Sequence, residues 1–440
     1  MQRIVIVGGG FAGMATARGL ERILQPQEAA ITVVSSENYT LFTPMLPEIG
    51  SGTLEARHVV TPIRAELRRA EFVLGNVCAI DLKARSLALE HPVVHSRSTL
   101  AFDQLVLALG SVVSTFGLPG ISERSFPYKT LEDAEALRNH VIAMLEVAAV
   151  TSDRKERARL LTLVFVGGGF TGVEAAGEMS DLFRSTLRYY PTIAASDVRI
   201  VLVEGGPTLL PDLQAGMGAY SERSLRKRGI EVQTSRMVSG ADERGIRFRE
   251  GPPIETATIV WSAGVRPSPA VAALGIETGR GGAVVTNPDF SLPGYEGLWA
   301  IGDCAAIPSP SGAPYPATAQ HAIREGPVLA RNIAARLRGQ ATEPFRYETI
   351  GMMASLGARR GVAGLRGRFL LTGFPAWILW RTYYLLRLPG LDRQLRVAFD
   401  WTLGLFFPRD IAELRMSSRE EAMLPPDALR SPASAGRSSA

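Results

Sequence analysis

Apolar positions along this chain fall into short unbroken runs that end on glycine, and two of those runs repeat each other. Val5-Ile6-Val7 leads into Gly8-Gly9-Gly10-Phe11-Ala12-Gly13, and Val164-Phe165-Val166 leads into Gly167-Gly168-Gly169-Phe170-Thr171-Gly172. Such β-branched and aromatic runs, without polar alternation, predict strands buried on both faces, as in a parallel sheet. Helical stretches over 14–20 and 173–183 follow the glycines. Strand, G-x-G-x-x-G and helix in that order form a turn suited to a pyrophosphate. One glycine turns the chain, one lets backbone approach the phosphates, and one permits close helix packing at a helix N-terminus. A lone match is weak, but two in the same setting are strong.

Other runs complete the two units. Residues 31–34 end at Ser35, 104–109 at Gly110, 198–203 at Glu204, 258–263 at Gly264, and 298–301 at Gly302-Asp303. Glu204 stands where an acid accepts from ribose hydroxyls and repels a 2′-phosphate, which favours NADH over NADPH. The first unit has Ser35 at that place, with Glu37 sharing its side-chain parity. The alternation predicts an α/β protein with two Rossmann-type dinucleotide-binding domains, one nested in the other. The first spans 1–115 and 285–335 and the nested one 116–284; a C-terminal amphipathic helical membrane-binding region covers 336–422, and a tail over 423–440 reads as disordered.

Composition narrows the chemistry. With 21% charged and 46% hydrophobic residues, global disorder is excluded. Cys78 and Cys304 are the only cysteines, too few for a disulfide framework, a four-cysteine zinc site or an iron–sulfur cluster. Redox chemistry must then come from a bound cofactor. His58, His91, His95 and His140 show no metal-ligand spacing, so no metal is expected. The net charge of +5 carries little information, because only four of the 48 basic residues are lysine (Lys83, Lys129, Lys155, Lys227); an arginine preference explains it, and no nucleic-acid partner is implied. A strand starting at Ile4 leaves no room for a signal peptide. The apolar stretch 369–380 has 12 residues, short of the ~20 that a membrane span needs.

The paired turns, the strand ending in Gly110 and the late Ala300-Ile301-Gly302-Asp303-Cys304-Ala305 together resemble the two-dinucleotide-binding-domain flavoproteins. Two more segments sharpen the likeness. Asn38-Tyr39-Thr40-Leu41-Phe42-Thr43-Pro44-Met45-Leu46-Pro47-Glu48 and Ala317-Thr318-Ala319-Gln320-His321-Ala322 are similar to the flavin-side loop and the quinone-side Ala-Gln motif of type II NADH:quinone oxidoreductases. The resemblance covers residues 3–415. It implies FAD in the first fold, against Gly8, Gly10, Phe11, Ala12, Gly13, Ser35, Pro44, Gly110 and Asp303. It implies NADH in the nested fold, against Gly167, Gly169, Phe170, Gly172, Glu204 and Gly264. A quinone pocket at Ala319 and Gln320 follows, with Thr318 at its entrance. The family motif usually continues to a second glutamine, where this chain has Arg324.

Comparing the repeats adds an independent candidate. Where the first helix carries Ala15 and Gly19, the second carries Glu174 and Glu178, four residues apart on one face. Either these acids complement the helix macrodipole, or, as the resemblance implies for Glu174, they serve the reduction of quinone to quinol. Gln320 is either a cap or surface group or a donor to a quinone carbonyl. Glu174 and Gln320 are the catalytic candidates. His321 titrates in the right range for a proton donor, but its spacing gives that role no support.

Near the C-terminus, Trp377, Trp380 and Trp401 are of the residue type that favours the headgroup level of a bilayer. Leu391, Leu395, Phe399, Thr402 and Phe406 share one helical face, with Arg393, Arg396 and Asp400 away from it. The pattern predicts an apolar hairpin on an anionic lipid surface; the other reading is a dimer interface or a cover for the sheet, and a homodimer is compatible with it. The expected activity is that of a peripheral NADH:quinone oxidoreductase on the cytoplasmic face of the plasma membrane. Hydride passes from NADH to FAD and two electrons then reach a membrane quinone, without proton pumping. The alternatives are a soluble NADH:ferredoxin or rubredoxin-type reductase and a non-catalytic NADH-sensing flavoprotein.

Overall fold

The computed structural model describes residues 1–414 apart from 212–215, 273–275, 280, 358 and 366–368; the tail read as disordered lies outside the described residues. In chain order, the elements that position the site begin with β1 (Gln2–Val7), α1 (Phe11–Ile23), β2 (Ala29–Ser35), α2 (Leu46–Gly50), β3 (Glu71–Leu74) and β4 (Gln104–Leu107). Then come β5 (Phe126–Pro127), β6 (Thr162–Val166), α3 (Phe170–Thr186), β7 (Arg199–Val203), β8 (Ile230–Gln233), β9 (Thr258–Trp261) and β10 (Leu298–Ala300). The C-terminal part holds α4 (Ala319–Leu337), β11 (Gly351–Ser355), β12 (Gly361–Leu365), β13 (Phe369–Gly373), α5 (Phe374–Arg387) and α6 (Leu391–Leu403).

The two glycine repeats open two parallel sheets of the same plan. One has the order β10-β4-β1-β2-β3 and the other β5-β9-β6-β7-β8. In each, the strand before the glycines lies between a neighbour that follows it directly in the sheet and one that returns from far along the chain. That is the switch point where a doubly wound sheet opens a crevice at its strand ends. The strands are apolar throughout because both faces are covered; Ile4 to Val7 and Thr162 to Val166 are all buried. Residues Ser111–Val113 pair antiparallel with Val265–Pro267, so the chain enters and leaves the second sheet's unit side by side.

The glycines answer specific close approaches. Gly8 and Gly167 hold φ of 120° and 111°, a region that side chains avoid. A Cβ on Gly13 would lie 1.9 Å from the carbonyl oxygen of Gly8, and one on Gly172 would lie 1.9 Å from that of Gly167. The third glycine therefore packs onto the first in both copies. Helix α1 is pressed equally hard against α4: a Cβ on Gly326 would lie 2.5 Å from Ala15 Cβ and 2.7 Å from Thr16 N.

The C-terminal region departs from the expected pair of helices. It starts with an antiparallel sheet, β11-β12-β13, and the apolar stretch 369–380 divides between β13 and α5. Short strands rich in glycine and methionine lack the alternation that marks a half-buried strand, which hid this sheet in the sequence. Helix α5 lies on it, since a Cβ on Gly361 would lie 2.8 Å from Trp377 N. Trp380, Leu388, Val397 and Trp401 join the same apolar cluster as Val173, Ala176 and Met179 of α3. No described helix is long and apolar enough to cross a membrane.

The contact between α1 and α4 yields a stability prediction. Gly326→Ala should destabilise the fold by about 1–3 kcal/mol through overpacking, read as a lower urea midpoint with an unchanged slope.

Candidate active site

Both glycine turns leave room for a ligand. A Cβ built on Gly10, Gly169 or Gly110 would meet no atom within 4 Å. Gly10 and Gly169 are the N-caps of α1 and α3, and neither helix has a side-chain cap or an acid in its first turn. The N–H groups and positive ends of both helices thus face open space, which suits an anionic diphosphate. At the second turn, Glu204 accepts from Gly168 N and Gly206 N, both at 2.6 Å. The first turn is tied differently. Thr40 Oγ1 donates to Gly9 O at 2.8 Å, while Ser35 Oγ accepts from Glu37 N at 3.3 Å. Ser35 is too short to reach the turn as Glu204 does. Gly264 lies beside the other end of the second crevice, where its Cβ would touch the Phe116 ring at 2.6 Å.

Asp303 sits in a 3-10 turn after β10 and accepts from Ser111 Oγ at 2.6 Å; Lys129 Nζ donates to the same hydroxyl at 2.9 Å. Behind it, the buried Glu325 of α4 accepts from Gly302 N at 2.7 Å, and burial raises its pKa to about 7. Sequence reading missed Ser111, Lys129 and Glu325, whose only signal is proximity to the late Gly-Asp turn in space. Cys304 is fully buried, and burial pushes its thiol up to about 12. It is no nucleophile at neutral pH.

Glu174 and Gln320 are brought to one strand. Glu174 Oε1 accepts from Ser355 N at 2.8 Å, at one end of β11; Gln320 Nε2 donates to Gly351 O at 3.4 Å, at the other, and to Tyr347 Oη at 2.9 Å. Four residues of strand separate them, a span of ~13 Å. Thr318 is the N-cap of α4 and accepts from His321 N, so Gln320 is not the cap. His321 is buried against Thr318 Oγ1, and desolvation lowers its pKa. Arg324 donates to Gln320 O at 2.7 Å and stacks over Tyr347 at 4.4 Å. The departure from a second glutamine thus places a guanidinium at the base of the Gln320–Tyr347 pair. Ala319 opens α4 beside them.

The macrodipole account of Glu174 and Glu178 fails on position. Neither lies in the first turn of α3, and both are buried with specific partners. Glu174 also accepts from Trp380 Nε1 at 2.9 Å. Glu178 accepts from Arg409 Nη2 at 2.9 Å. A third carboxylate, Glu48 of α2, accepts from Trp401 Nε1 at 3.1 Å and Arg381 Nη2 at 3.0 Å. The tryptophans read as headgroup anchors are therefore interior: Trp377, Trp380 and Trp401 are 8%, 1% and 9% exposed, and Trp380 and Trp401 donate to carboxylates. Arg381 is held between two of them, 4.2 Å from the Trp377 ring and 4.4 Å from that of Trp401. An indole needs an acceptor when buried, and a carboxylate more than 170 residues away in sequence is one that sequence cannot show.

Aromatic rings join the two ends of the site. Phe11, in the first glycine turn, meets Phe42 edge-on at 5.9 Å; Phe42 meets Tyr384 at 6.0 Å, and Tyr384 meets Trp380 at 4.9 Å. Pro44 stands in the turn between Phe42 and α2. Ala12 and Phe170 occupy the openings of α1 and α3. Among the described residues, no His, Cys, Asp and Glu group could hold a metal ion.

The chain is similar to known proteins along most of its length. Residues 2–326 match the family described as pyridine nucleotide-disulphide oxidoreductase, and residues 350–410 match the NDH2 C-terminal domain. A type II NADH:quinone oxidoreductase of Mycobacterium tuberculosis is 33% identical, covering 92% of this chain and 89% of its own. One from Staphylococcus aureus is 30% identical over 83% of this chain and 90% of its own. Among solved structures, Plasmodium falciparum NDH2 in complex with NADH superimposes with a TM-score of 0.86 at 19% identity, covering 93% of this chain and 99% of that one.

The buried acids predict a pH dependence of stability. Burial raises Glu174 to about 8 and Glu48 to about 7, from an ordinary 4.5. The native state then holds protons that the unfolded chain has released, so stability should fall as pH rises through that window. Urea unfolding between about pH 5 and pH 8 should show this fall, and Glu174→Gln should flatten it by up to ~1.4 kcal/mol per pH unit.

Proposed function

The chain belongs to the type II NADH:quinone oxidoreductases, and from that premise we propose that it binds FAD in the first fold and NADH in the second, and reduces a membrane quinone beside Glu174 and Gln320. The observation that carries this reading is the junction at β11. One strand of the C-terminal sheet bonds to both candidate residues, and a ladder of rings runs from the first glycine turn to Trp380, which donates to Glu174.

The open space at Gly10 and the bare N-terminus of α1 fit the diphosphate of FAD. Gly8, Phe11, Ala12 and Gly13 shape that turn. Ser35, Pro44, Gly110 and Asp303 line the rest of the crevice, with Ser111 and Lys129 orienting the aspartate. When bound, FAD supplies the two-electron chemistry, accepting a hydride from NADH and handing electrons to quinone. Gly167, Gly169, Phe170, Gly172 and Gly264 form the NADH side. Glu204, already bonded to the turn, meets the ribose hydroxyls and disfavours a 2′-phosphate. At the quinone side, Gln320 can turn its amide from Tyr347 to a carbonyl oxygen. Glu174 holds a proton in a dry setting where it can be passed to a developing quinolate.

The exposed apolar face of α6 and the turn after it supports attachment to lipid. Leu391, Leu395, Phe399 and Phe406 are 70%, 62%, 62% and 76% exposed, which is uncommon for a contiguous surface facing water. Arg387 and Arg396 are exposed beside them and favour an anionic surface, the cytoplasmic leaflet of the plasma membrane. Arg393 and Asp400 turn inward instead, to Val60 O and His58. The soluble-reductase alternative leaves this face without a purpose. Such a protein transfers electrons at the surface and does not pump protons.

Two measurements test the reading. NADH should bleach the flavin of the purified protein, and quinone should restore it. In Glu174→Gln that restoration should slow by about 10²-fold, the lower end of a general-acid contribution; quinone that leaves the wild-type flavin bleached refutes the assignment. Leu395→Glu combined with Phe399→Glu should abolish sedimentation with phosphatidylglycerol vesicles while oxidation of NADH by a water-soluble quinone stays within about twofold, since both side chains lie on the exposed face.

A further inference from the structure

Three carboxylates and two guanidinium groups meet in one buried place. Glu174 and Glu178 stand one turn apart on α3. Glu48 on α2 joins them through two routes. Consecutive residues of α5 bind the first pair, Trp380 donating to Glu174 and Arg381 to Glu48. Ser51 and Thr53, just beyond α2, both donate to Glu178, at 3.3 and 3.2 Å. Arg381 faces Glu48 and Arg409 faces Glu178, each at ion-pair distance. Glu174 has no cation; its donors are neutral, and its second oxygen accepts from none of the described residues. Arg228, which also senses Glu178, is matched by Asp181 and has Arg184 and Arg360 beside it, but none of these arginines is among the main influences on Glu48 or Glu174; Tyr128 and Tyr384, which lie close enough to sense these acids, are neutral phenols. Fully ionised, the cluster would carry one unbalanced negative charge out of water. Several kcal/mol oppose that, and a shared proton removes it.

We propose that Glu48 is a second proton-holding residue of the quinone reaction, sharing one stored proton with Glu174 across the Trp380–Arg381 step. The proposal rests on the quinone-reduction reading above and names where its proton waits. The balance asks for one proton. NADH leaves as NAD+ after giving up a hydride, which is two electrons and one proton. Quinone becomes quinol by taking two electrons and two protons. The second proton leaves the Glu48–Glu174 pair for a quinone oxygen, and the pair regains one from water. Desolvation raises both acids, in agreement with a proton held at neutral pH.

The charge count predicts opposite effects for two substitutions. In Glu48→Gln, two acids face two arginines and the stored proton should be lost. In Arg381→Gln, three acids face one arginine and a second proton should be taken up. Infrared spectra of the FAD-loaded protein at neutral pH, without quinone, read the carbonyl band of protonated carboxyl groups directly. Glu325 contributes equally to every variant, so differences decide. Relative to wild type, the band should fall in Glu48→Gln, return in Glu48→Asp and rise in Arg381→Gln. In parallel, the rate at which quinone reoxidises the NADH-reduced protein should lose its neutral-range pH dependence in Glu48→Gln and recover it in Glu48→Asp. An unchanged band in Glu48→Gln, or no rise in Arg381→Gln should the first variant not fold, overturns the proposal. A wild-type protein that quinone does not reoxidise overturns the function reading instead, and the infrared result stands apart from it.

Discussion

A carboxylate removed from water has to find donors, a counter-ion or a proton, and the seating of the C-terminal region on the rest of the molecule is organised by that requirement. The three acids of the buried cluster, Glu48, Glu174 and Glu178, belong to α2 and α3. Their main partners come from β11, α5, α6 and the segment after α6: Ser355 N, Trp380, Arg381, Trp401 and Arg409. The apolar cluster shared by α3, α5 and α6 supplies much of the burial free energy. The acids supply the register, because an indole N–H or a guanidinium displaced from its acceptor leaves an unsatisfied group behind. Removing the C-terminal region would thus do more than take away an exposed apolar face. It would strip the buried acids of α2 and α3 of their donors.

What can be read in the sequence and what cannot divide along the distance over which the information acts. The two glycine turns are legible because strand, glycines and helix are contiguous; the contacts of Gly13 on Gly8 and Gly172 on Gly167 are local, whereas Gly8 and Gly167 themselves press on Ala108 and Ala263, far along the chain. The α/β class follows from the same runs. Glu174 is legible only through the comparison of repeats, which marks a position where the framework does not require an acid. Its partner Trp380 lies 206 residues away, and Glu48, embedded in an apolar stretch of the flavin-side loop, gives no local signal at all. The tryptophans are the instructive failure. Their preference for a bilayer interface comes from an apolar body with one polar tip, and a buried carboxylate satisfies that same chemistry. Leu391, Leu395 and Phe399, which have no polar tip, do face outward.

The two turns solve one problem in unequal ways. In the second, Glu204 binds the turn's own N–H groups and keeps an oxygen-rich rim at the ribose position. In the first, Thr40 secures the turn by its carbonyl, and Ser35 packs against Gly9 while its hydroxyl accepts from Glu37 N instead of from the turn. On the proposed assignment the first crevice would keep its cofactor, while the second would release a product each turnover. A single strong, specific contact such as Glu204 suits the site that has to discriminate and let go.

Helix α5 has Ile378 and Leu386 on an exposed flank and Trp380 on the flank that reaches Glu174. An α-helix with its side chains is only ~10–12 Å across. The reducible ring of a lipid-soluble substrate would therefore travel about one helix width from the acyl chains to the acids, and its hydrocarbon tail need never leave them. On that geometry tail length becomes nearly irrelevant to fit. Discrimination between substrates falls to the shape of the head, and a long-tailed molecule is recruited by solubility in the bilayer instead of by contacts with the protein.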